Sequence, residues 1–566
     1  MTGFDSTWYH GPFAAGFFQS GDTWSLHFIA PQFLAWLYPA NSEVLHAVGM
    51  LAFGRDLLSP LLNLGWFLGC LLACWCIGRP FGVAPWSLAL GAIALSIPAL
   101  SDQAGEARND IVGIFFLLAA VAIAMNAAAG PTPMPFVTHR DTNGGDGGVG
   151  GGAALGRARP AGMGTGALGL AGLAAGLAVG TKLNFLLPAA VFVLGLALIA
   201  PRGNRLRALA TAALAALAGG GYWYLRNLVR SGNPLPWIHH LGPIALPAPE
   251  QALGGREAHS VLGYLTDSSV WSDWFLPGLH HGLWIVWPLL LLASLAGLLL
   301  ASLRFRGSFR TDSDRKEPRN GGALAVAGLV GLASAVAWLV APTSASGPNG
   351  MPRGFESGLR YLAPALVLGL ALLPVALGGR LRDADRGCPP NGRILKAPSQ
   401  LARRLSGRGA PRVGGVALLL ILLVVVGYPI QRHYLRDRYA NPSFSNPGLD
   451  AAFEWASGIS DQRIATTSTR QYPLFGTDLS NHVQFVGRER PHGGFEAPAG
   501  CRQWRQLLNE GDYDYAVTTR DRQEPGKPPY PPTTGWTEGP GARVILKKPP
   551  TVVFKLTGPL PPSACP

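Results

Sequence analysis

Charged residues are scarce in this sequence: they make up 14% of the chain, whereas hydrophobic residues make up 48%. The uncharged stretches are clumped into runs of roughly 17–22 apolar residues, and each run is long enough to cross about 30 Å of hydrocarbon. A soluble helical protein rich in alanine and glycine would not repeat uncharged windows so often. The shortage of charge therefore excludes the soluble class and predicts a polytopic membrane protein.

The apolar runs predict a mainly α-helical transmembrane bundle of about ten spans. The runs lie at residues 57–78, 84–100, 111–129, 166–183, 185–200, 208–225, 283–303, 322–341, 361–379 and 413–430. Residues 166–200 could also form one long helix, which would move every later loop to the opposite side of the membrane. The distribution of basic residues favours two helices, broken near Lys182 and Asn184.

Cysteine is also scarce, with six residues in the chain. Cys70, Cys74 and Cys76 fall within one apolar run, and their spacing resembles a metal or redox pattern. Thiols inside an apolar helix usually act as small hydrophobic residues, so we predict no such site. Cys501 and Cys565 are the only cysteines of the polar tail, and we expect them to form a disulfide outside the reducing cytosol.

Acidic residues are outnumbered by basic ones, which gives a formal net charge of +14. If residues 1–56 lie outside the cell, most lysines and arginines ahead of the tail fall in inner loops. This bias follows the positive-inside rule and predicts that residues 1–56 and the tail are outside. Basic clusters such as Arg403 and Arg404 then mark topology beside anionic lipid, and they do not indicate a nucleic-acid site.

Composition divides the chain into three predicted parts. Residues 1–56 are outer juxtamembrane helices, and residues 57–430 are the bundle, with a Gly-rich inner linker at 130–165. Residues 431–566 contain short periodic segments that predict a small soluble α/β domain outside the membrane. Its predicted strands are RIATTST, HVQFVG, YDYAVTT and a hairpin of ARVILKK and TVVFKL, and its predicted helix is CRQWRQLLNE.

No export signal precedes the first outer segment, since the start of the chain lacks both a basic region and an apolar region of that kind. We therefore expect that a first transmembrane helix is missing because the start codon was assigned too late. The stretch from Phe4 to Glu43 is dense in aromatic residues and too polar to span a bilayer. Such a stretch is typical of helices that lie along the membrane surface.

Acidic residues of the outer segments are the best candidates for chemistry. Asp5 lies in the aromatic stretch with His10 nearby, and a solvated turn residue is the alternative interpretation of Asp5. The predicted outer loop SDQAGEARND ends in Asp110, directly before a span. Asp110 could cap that helix, or it could place a second carboxylate opposite Asp5 across a cavity, and both roles are compatible.

Two basic positions stand at predicted span ends. Lys182, in VGTKLNF, lies at an outer end, where a lysine either extends towards the membrane surface or binds an anion. Arg360 and Tyr361, in ESGLRYLAP, lie where another span begins. An arginine there could bind a phosphate or act as an ordinary interfacial anchor.

Two further patterns do not predict sites. Gly164, Gly166 and Gly169 match GxGxxG, but no strand precedes them, so we interpret the region as a flexible linker. His239–His240 and His280–His281 lack a cysteine or a nearby carboxylate that would complete a zinc ligand set. We therefore predict no metal site.

Several short segments carry a resemblance to a known family. They are, in chain order, FDSTWYHGP, YPANSEVLH, ARND, GTK, SGNPLP and RYLAP. Their order and placement resemble bacterial membrane glycosyltransferases of the GT-C superfamily, in particular the group related to protein O-mannosyltransferases and lipid A sugar transferases. The resemblance covers residues 1–430, and the tail resembles the soluble C-terminal domain of some members. It implies transfer of a sugar from a polyprenyl phosphate on the outer face of the cell membrane.

The resemblance also implies roles for individual residues. The implied catalytic residues are Asp5, Asp110 and His10, and the implied donor-phosphate residues are Lys182, Arg360 and Tyr361. The carboxylate of Asp5 would take the proton of an acceptor hydroxyl, and fixed cations would stabilise the departing phosphate. Attack opposite the lipid phosphate would invert the anomeric centre. No organic cofactor is implied, although a divalent cation is compatible with the wider superfamily.

The implied partners are a polyprenyl-phosphate sugar donor, a glycan, lipid or protein acceptor, and the lipid bilayer, with no nucleic acid. A transporter or flippase of lipid-linked cell-envelope precursors is the competing interpretation. It would explain the spans and Lys182, but not two outer carboxylates, long outer loops and a soluble outer domain. A third interpretation is a non-catalytic scaffold whose tail binds cell-wall polymers.

Overall fold

The structure of the chain is a computed structural model. The residues that it describes are 5–29, 31, 34–101, 103–129, 163–250, 258–304, 320–386, 446–521 and 526–565. Helices dominate the described residues, and a small sheet lies near the C-terminus. The predicted mainly α-helical class is therefore confirmed.

The described α-helices are numbered α1 to α18 in chain order. They are α1 (Gly11–Ser20), α2 (Asn41–Phe53), α3 (Ser59–Gly78), α4 (Ala84–Leu95), α5 (Pro98–Ser101), α6 (Asp110–Ala129), α7 (Thr165–Val179), α8 (Leu186–Ile199), α9 (Arg205–Ser231), α10 (Ser268–Val270), α11 (Leu276–Leu283), α12 (Trp287–Ser302), α13 (Asn320–Val340), α14 (Phe355–Gly358), α15 (Ala363–Arg386), α16 (Pro447–Ala456), α17 (Cys501–Glu510) and α18 (Pro532–Thr537). A π-helical turn, Ser6–His10, leads directly into α1. Short 3-10 helices include Leu183–Phe185 before α8 and Leu359–Tyr361 before α15.

The described strands are numbered β1 to β9. They are β1 (His240–Leu241), β2 (Ile244–Ala245), β3 (Arg463–Thr466), β4 (His482–Phe485), β5 (Arg488–Arg490), β6 (Gly494–Glu496), β7 (Tyr515–Thr518), β8 (Ala542–Lys548) and β9 (Thr551–Leu556). β1 with β2 and β5 with β6 form two separate antiparallel pairs. The other five strands form one sheet.

Four helical segments are long and apolar enough to cross a membrane: Ser59–Phe81, Asp110–Ala129, Arg202–Ser231 and Gly321–Val340. Two helix pairs pass the same test only when taken together, because one is bent by 79° before α12 and the other by 49° before α15. The described part of the chain therefore holds four such helices, or up to six if each bent pair is one span. Shorter apolar helices are Ala84–Leu95, Thr165–Val179 and Leu183–Ile199.

The prediction of ten spans is not confirmed. The predicted run 84–100 is divided, because α4 ends at Leu95 and Pro98 begins the short α5. Proline lacks the N–H that a continuing helix needs and disfavours helical geometry in the residue before it. The predicted run 413–430 lies outside the described residues.

The predicted break within residues 166–200 is confirmed. α7 ends at Val179, and Lys182 follows in an extended conformation with φ −160° and ψ 142°. Close packing occurs at the break, because a Cβ on Gly180 would lie 2.3 Å from Asn41 Nδ2. The backbone N–H of Asn41 also donates to the Gly180 carbonyl oxygen at 2.9 Å. The start of α2 therefore holds the turn that carries Lys182.

Helix packing in the bundle relies on small residues and on a buried central helix. A Cβ on Gly176 of α7 would lie 2.0 Å from the Ala216 carbonyl oxygen of α9, so only glycine fits there. Close approach of this kind is typical of transmembrane bundles. α6 buries Ile111 and Leu117 in the largest apolar core, and its first residue is Asp110. The core thus fixes the position of that carboxylate.

The tail contains a five-stranded sheet in the order β4-β3-β7-β9-β8. β3 runs parallel to β4 and β7, whereas β9 runs antiparallel to β7 and β8. Because successive residues of a strand face opposite sides, Ala516 of β7 packs with α17 and Val517 packs with α16. The predicted strands and helix are present, and Cys501 is bonded to Cys565 as predicted.

The tail packs against the N-terminal segment, which we define as residues 5–56. We call this contact the seam. One hydrophobic cluster contains Trp36 of the segment together with Phe495 of the tail. The backbone N–H of Gln471 donates to the Thr7 carbonyl oxygen at 3.0 Å. The seam therefore reaches the helical turn that follows Asp5.

Candidate active site

Charged side chains that are distant in sequence meet where several helices begin or end. Asp5 directly precedes the π-helical turn, and Asp110 is the first residue of α6. Lys182 lies between α7 and α8, and Arg360 lies in the short 3-10 helix before α15. The structure thus brings together two of the predicted catalytic residues and two of the predicted donor-phosphate residues.

Arg360 links the two carboxylates. Its Nη1 donates a hydrogen bond to Asp5 Oδ2, and its Nε lies 3.6 Å from Asp110 Oδ2. Arg108 also lies near Asp5, with its Nε 3.7 Å from Asp5 Oδ2. A guanidinium can serve two carboxylates at once because its donors form a planar fork.

Lys182 and Gln103 complete the surroundings of Asp110. The Lys182 Nζ donates to Asp110 Oδ1, and Gln103 Nε2 donates to Asp110 Oδ2 at 3.3 Å. Gln103 also accepts from the backbone N–H of Ile111 at 3.0 Å, so it fixes the start of α6. Asp110 is therefore held by cations and by the first turn of its own helix.

Tyr361 lies beside both cations of the cluster. The Lys182 Nζ lies 4.7 Å from the centre of the Tyr361 ring, and the Arg360 guanidinium carbon lies 5.3 Å from it. Arg360 Nη2 also donates to the Tyr361 hydroxyl at 3.4 Å. Aromatic faces attract cations at such distances, so the ring orients both positive groups.

The cluster is largely shielded from solvent but is not closed. The Asp110 side chain is 3% exposed, whereas Asp5, Lys182 and Arg360 are 14%, 16% and 12% exposed. Removing charged groups from water costs several kcal/mol per ion unless partners compensate. Paired charges with one accessible side are typical of sites that bind a charged ligand.

Asp5 is held in its ionised form. Burial alone would raise the pKa of this carboxyl, but Arg360 and Arg108, assisted by the charge of His10, hold its pKa well below the usual range. The group is therefore a carboxylate at neutral pH and can only accept hydrogen bonds. A carboxylate in this state is ready to receive a proton once its cations find other partners.

His10 is bonded to a residue that the sequence analysis did not select. Its Nδ1 forms a hydrogen bond with Glu43 Oε1, while Asp5 is bonded to arginine. Asn109 Nδ2 lies 3.4 Å from the same Glu43 oxygen and donates to the Thr181 carbonyl oxygen at 3.1 Å. Glu43 and Arg108 are thus the site residues that sequence reasoning missed. An acid next to an apolar helix was the available signal for Glu43.

The remaining patterns from the sequence do not assemble a metal centre. Within the described ranges, no group of three or more His, Cys, Asp and Glu side chains is placed to hold a metal ion. His281 lies 3.7 Å from Glu356 at an exposed position. Cys70 and Cys74 are buried in α3, as expected of small hydrophobic residues.

Comparison with solved structures shows that the chain has a known fold. The chain is similar to ArnT from Cupriavidus metallidurans in the apo state, with 17% identity, a TM-score of 0.52, and coverage of 98% of this chain and 93% of that chain. The chain has the fold of ArnT. ArnT is a GT-C superfamily membrane glycosyltransferase, so the fold implied by the sequence resemblance is confirmed.

Other comparisons give weaker or no similarity. The ArnT structure bound to undecaprenyl phosphate has 17% identity, a TM-score of 0.49, and coverage of 98% of this chain and 94% of that chain. The oligosaccharyltransferase AglB from Archaeoglobus fulgidus, in complex with an inhibitory peptide and a dolichol-phosphate, has 12% identity, a TM-score of 0.42, and coverage of 92% of this chain and 66% of that chain. No protein-family model and no curated protein sequence matches the chain.

Proposed function

We propose that this chain is a glycosyltransferase that moves a sugar from a polyprenyl phosphate to an acceptor hydroxyl on the outer face of the cell membrane. The observation that carries the proposal is the buried cluster of Asp5, Asp110, Lys182 and Arg360. Concentrated charges of this kind are retained mainly at functional sites. The ArnT-like fold agrees with the same class of reaction, although a fold alone does not determine activity.

The donor phosphate binds between Lys182 and Arg360. Both cations are bonded to carboxylates in the structure, and Tyr361 lies beside them. A phosphate offers oxygens in the geometry that a guanidinium recognises, so it competes with the carboxylates for Arg360. Donor binding in this way frees Asp5 from its strongest partner.

Asp5 is the general base of the proposed reaction. Its carboxylate takes the proton of the acceptor hydroxyl while the hydroxyl oxygen bonds to the anomeric carbon. The bond between that carbon and the phosphate oxygen breaks, and its electron pair leaves with the polyprenyl phosphate. Lys182 and Arg360 stabilise the charge that grows on this phosphate. Attack from the face opposite the phosphate inverts the anomeric centre.

Asp110 and His10 assist without taking the proton. Asp110 is bonded to Lys182 and lies near Arg360, so it holds both cations in place. A charged His10 favours the ionised form of Asp5. Divalent cations act in some enzymes that transfer phosphate-linked groups, but the two carboxylates here are already neutralised by protein cations.

We also propose a multi-pass arrangement of ten spans in which residues 1–56 and the soluble α/β domain of residues 431–566 lie outside. The basic inner loops 130–165 and 380–412 support this orientation. A single cysteine introduced at position 450 should react with an impermeant reagent added outside, and one at position 390 should not. The opposite labelling pattern would contradict the topology.

The direct test of the reaction is transfer of labelled sugar from polyprenyl phosphate in isolated membranes. Asp5→Asn keeps the shape of the side chain but removes the base, and it should lower the rate by about 10²–10⁴-fold. Membrane insertion and the amount of protein should stay unchanged. Asp512→Asn is a matched control, because Asp512 is exposed in the tail and has a φ of 47° that asparagine accepts.

Wild-type activity in Asp5→Asn would refute the assignment of the base. If no sugar is transferred by the wild-type chain from any polyprenyl-phosphate donor, a transporter or flippase becomes the better interpretation. Movement of a labelled lipid-linked precursor across reconstituted vesicles would then distinguish it from the scaffold interpretation.

A further inference from the structure

Glu43 is a carboxylate in an unusual place. It lies in the first turn of α2, and it is 2% exposed. Its ion-pair partner among the described residues is His10, and its Oε2 has no hydrogen-bond partner there. Burying a carboxylate is costly unless its hydrogen bonds are well made. The bonds that Glu43 does make therefore indicate what it is retained for.

Those bonds connect the chain segments that carry the proposed reacting groups. His10 ends the π-helical turn that Asp5 precedes, and its Nδ1 is bonded to Glu43 Oε1. Asn109, directly before Asp110, reaches the same oxygen with its Nδ2 at 3.4 Å. The segments that carry Asp5 and Asp110 are therefore both bonded to the same buried oxygen, Glu43 Oε1.

The third of these segments carries Lys182. The Nδ2 group of Asn109 donates to the carbonyl oxygen of Thr181 at 3.1 Å, and Thr181 directly precedes Lys182. The backbone N–H of Asn41, at the start of α2, holds the same segment through the Gly180 carbonyl oxygen. The Asn41 contact begins at α2 itself, and the Asn109 contact is linked to α2 through Glu43. This helix therefore helps to determine where Lys182 stands relative to the other groups.

We infer that Glu43 is a positioning residue of the proposed transfer site, which sets the distances among Asp5, Asp110 and Lys182 through His10 and Asn109. The inference rests on the proposed function and adds to it a residue that touches neither substrate nor reacting atoms. Well-oriented groups contribute much of an enzyme's rate, and a misplacement of about 1 Å can lower a rate by about 10²-fold.

The other titratable groups around Glu43 fit this role. His46, one turn along α2, is also buried, and neither of its ring nitrogens has a hydrogen-bond partner among the described residues. Burial lowers the pKa of His46 to about 4, so His46 is neutral at working pH. Asp56 also approaches His46, and Asp5 and Tyr9 approach His10. The bonded partner of the Glu43 carboxylate is thus His10 rather than His46.

The test compares two substitutions of Glu43 in the full chain in membranes, with rates corrected for the amount of folded protein. Glu43→Gln keeps an oxygen that can accept from both His10 and Asn109, whereas Glu43→Ala removes it. We expect Glu43→Ala to lower kcat by about 10²-fold. The KM for the polyprenyl-phosphate sugar should change much less, because Asp110 still holds Lys182. Glu43→Gln should restore most of kcat.

Two further variants make the result specific. Asn109→Ala should lower kcat as Glu43→Ala does, and the double variant should lose little more, because residues that act as one unit are not additive. Asn126→Ala is the matched control: Asn126 is on α6 as well, and it donates to the Cys76 carbonyl oxygen of a neighbouring helix at 2.8 Å. Its kcat should match the wild type.

An unchanged kcat in Glu43→Ala would overturn the inference, as would a Glu43→Gln variant that is as impaired as Glu43→Ala. A large rise in the donor KM alone would also overturn it, because that would assign Glu43 to donor binding. Asp5→Asn, measured alongside, distinguishes a failure of the proposed function from a failure of the positioning role of Glu43. Full activity of Asp5→Asn refutes the proposed base, whereas an inactive Asp5→Asn with a fully active Glu43→Ala refutes only the positioning role.

Discussion

The N-terminal segment is held in two different ways on its two sides. Towards the bundle, Asp5 is held by the charges of Arg360 and Arg108. Towards the tail, the seam consists of apolar packing and ordinary hydrogen bonds, such as the stack of Phe28 on Phe495, with ring centres 5.1 Å apart. The same short stretch of chain therefore has an ionic side and an apolar side.

The difference between these sides separates chemistry from positioning. Ion pairs can be exchanged when a new anion arrives, because one anion replaces another around Arg360 at little net change of charge. Interdigitated apolar packing has no such alternative partner and behaves as a fixed contact. We therefore expect substitutions in the ionic cluster to alter rates, and substitutions in the tail and the seam to alter stability.

The largest effect is expected from Arg360→Ala, which removes the cation between the two carboxylates. The rate of sugar transfer should fall by about 10³-fold, since fixed donors at a developing charge are worth about that much. Arg360→Lys is the matched control, because it keeps the charge but loses the planar fork, and its loss should be smaller. Equal activity of Arg360→Ala and wild type would contradict the expectation that the ionic side of the N-terminal segment controls the rate.

Arg360→Ala should also change the pH dependence. In the wild type the pKa of Asp5 is held well below its usual range, so its ionisation should produce no acid limb at pH 5 or above. Without Arg360, burial raises this pKa while Arg108 still lowers it, and the acid limb should move to higher pH. The pH dependence of kcat/KM for the residual activity checks this direction, because it reports the enzyme before the donor binds. An unshifted profile would show that Arg360 does not control Asp5.

The second effect concerns the tail alone. The disulfide between Cys501 and Cys565 spans 64 residues, and closing such a loop typically stabilises a fold by about 2–4 kcal/mol. Replacing both cysteines by serine should therefore lower the thermal stability of the tail. Limited proteolysis at increasing temperature measures this change. Sugar transfer at low temperature should remain close to wild type. A loss of rate without a loss of stability would contradict the expectation that substitutions in the tail alter stability and not the rate.

Local features could be predicted from the sequence, but the pairing of side chains that are distant in the chain could not. The tail strands were predictable because alternation of apolar residues is a local signal, and the break at Lys182 was predictable from charge. The ten predicted spans are not confirmed, because hydropathy does not reveal where a helix stops, as at Pro98. Arg360 and Asp5 are 355 residues apart, so no local pattern could pair them. Glu43 was missed because an acid in a first helical turn also satisfies a capping interpretation.

A smaller effect is expected from Asp110→Asn. The amide keeps an oxygen that can accept from Lys182 and keeps the start of α6 intact, but it removes one negative charge. We expect kcat to fall about tenfold, which corresponds to about 1.4 kcal/mol. The KM for the donor should not rise, because Lys182 and Arg360 become more available to phosphate. A raised donor KM would instead indicate that Asp110 orders the cations before binding.

The smallest effect is expected from Tyr472→Phe, which tests the seam. Tyr472 packs its ring against Gly11, where a Cβ would lie 2.6 Å from the Tyr472 Cδ2, and its hydroxyl donates to Asp56 Oδ2. Burial and the nearby Asp56 hold the pKa of this hydroxyl well above its usual range, so it remains a donor at neutral pH. Phenylalanine keeps the ring contact and loses only the hydrogen bond.

Loss of that hydrogen bond should lower the free energy of unfolding by about 1 kcal/mol. The rate of sugar transfer should change by a few-fold at most, because α1 stays in place through its apolar contacts. Tyr513→Phe is the matched control, since the Tyr513 hydroxyl bonds to Gln484 at 2.9 Å within the tail and away from the seam. If Tyr472→Phe instead lowers the rate about 10²-fold at unchanged stability, the seam controls the geometry of Asp5 as strongly as the ion pairs do. The two sides of the N-terminal segment would then act as one unit.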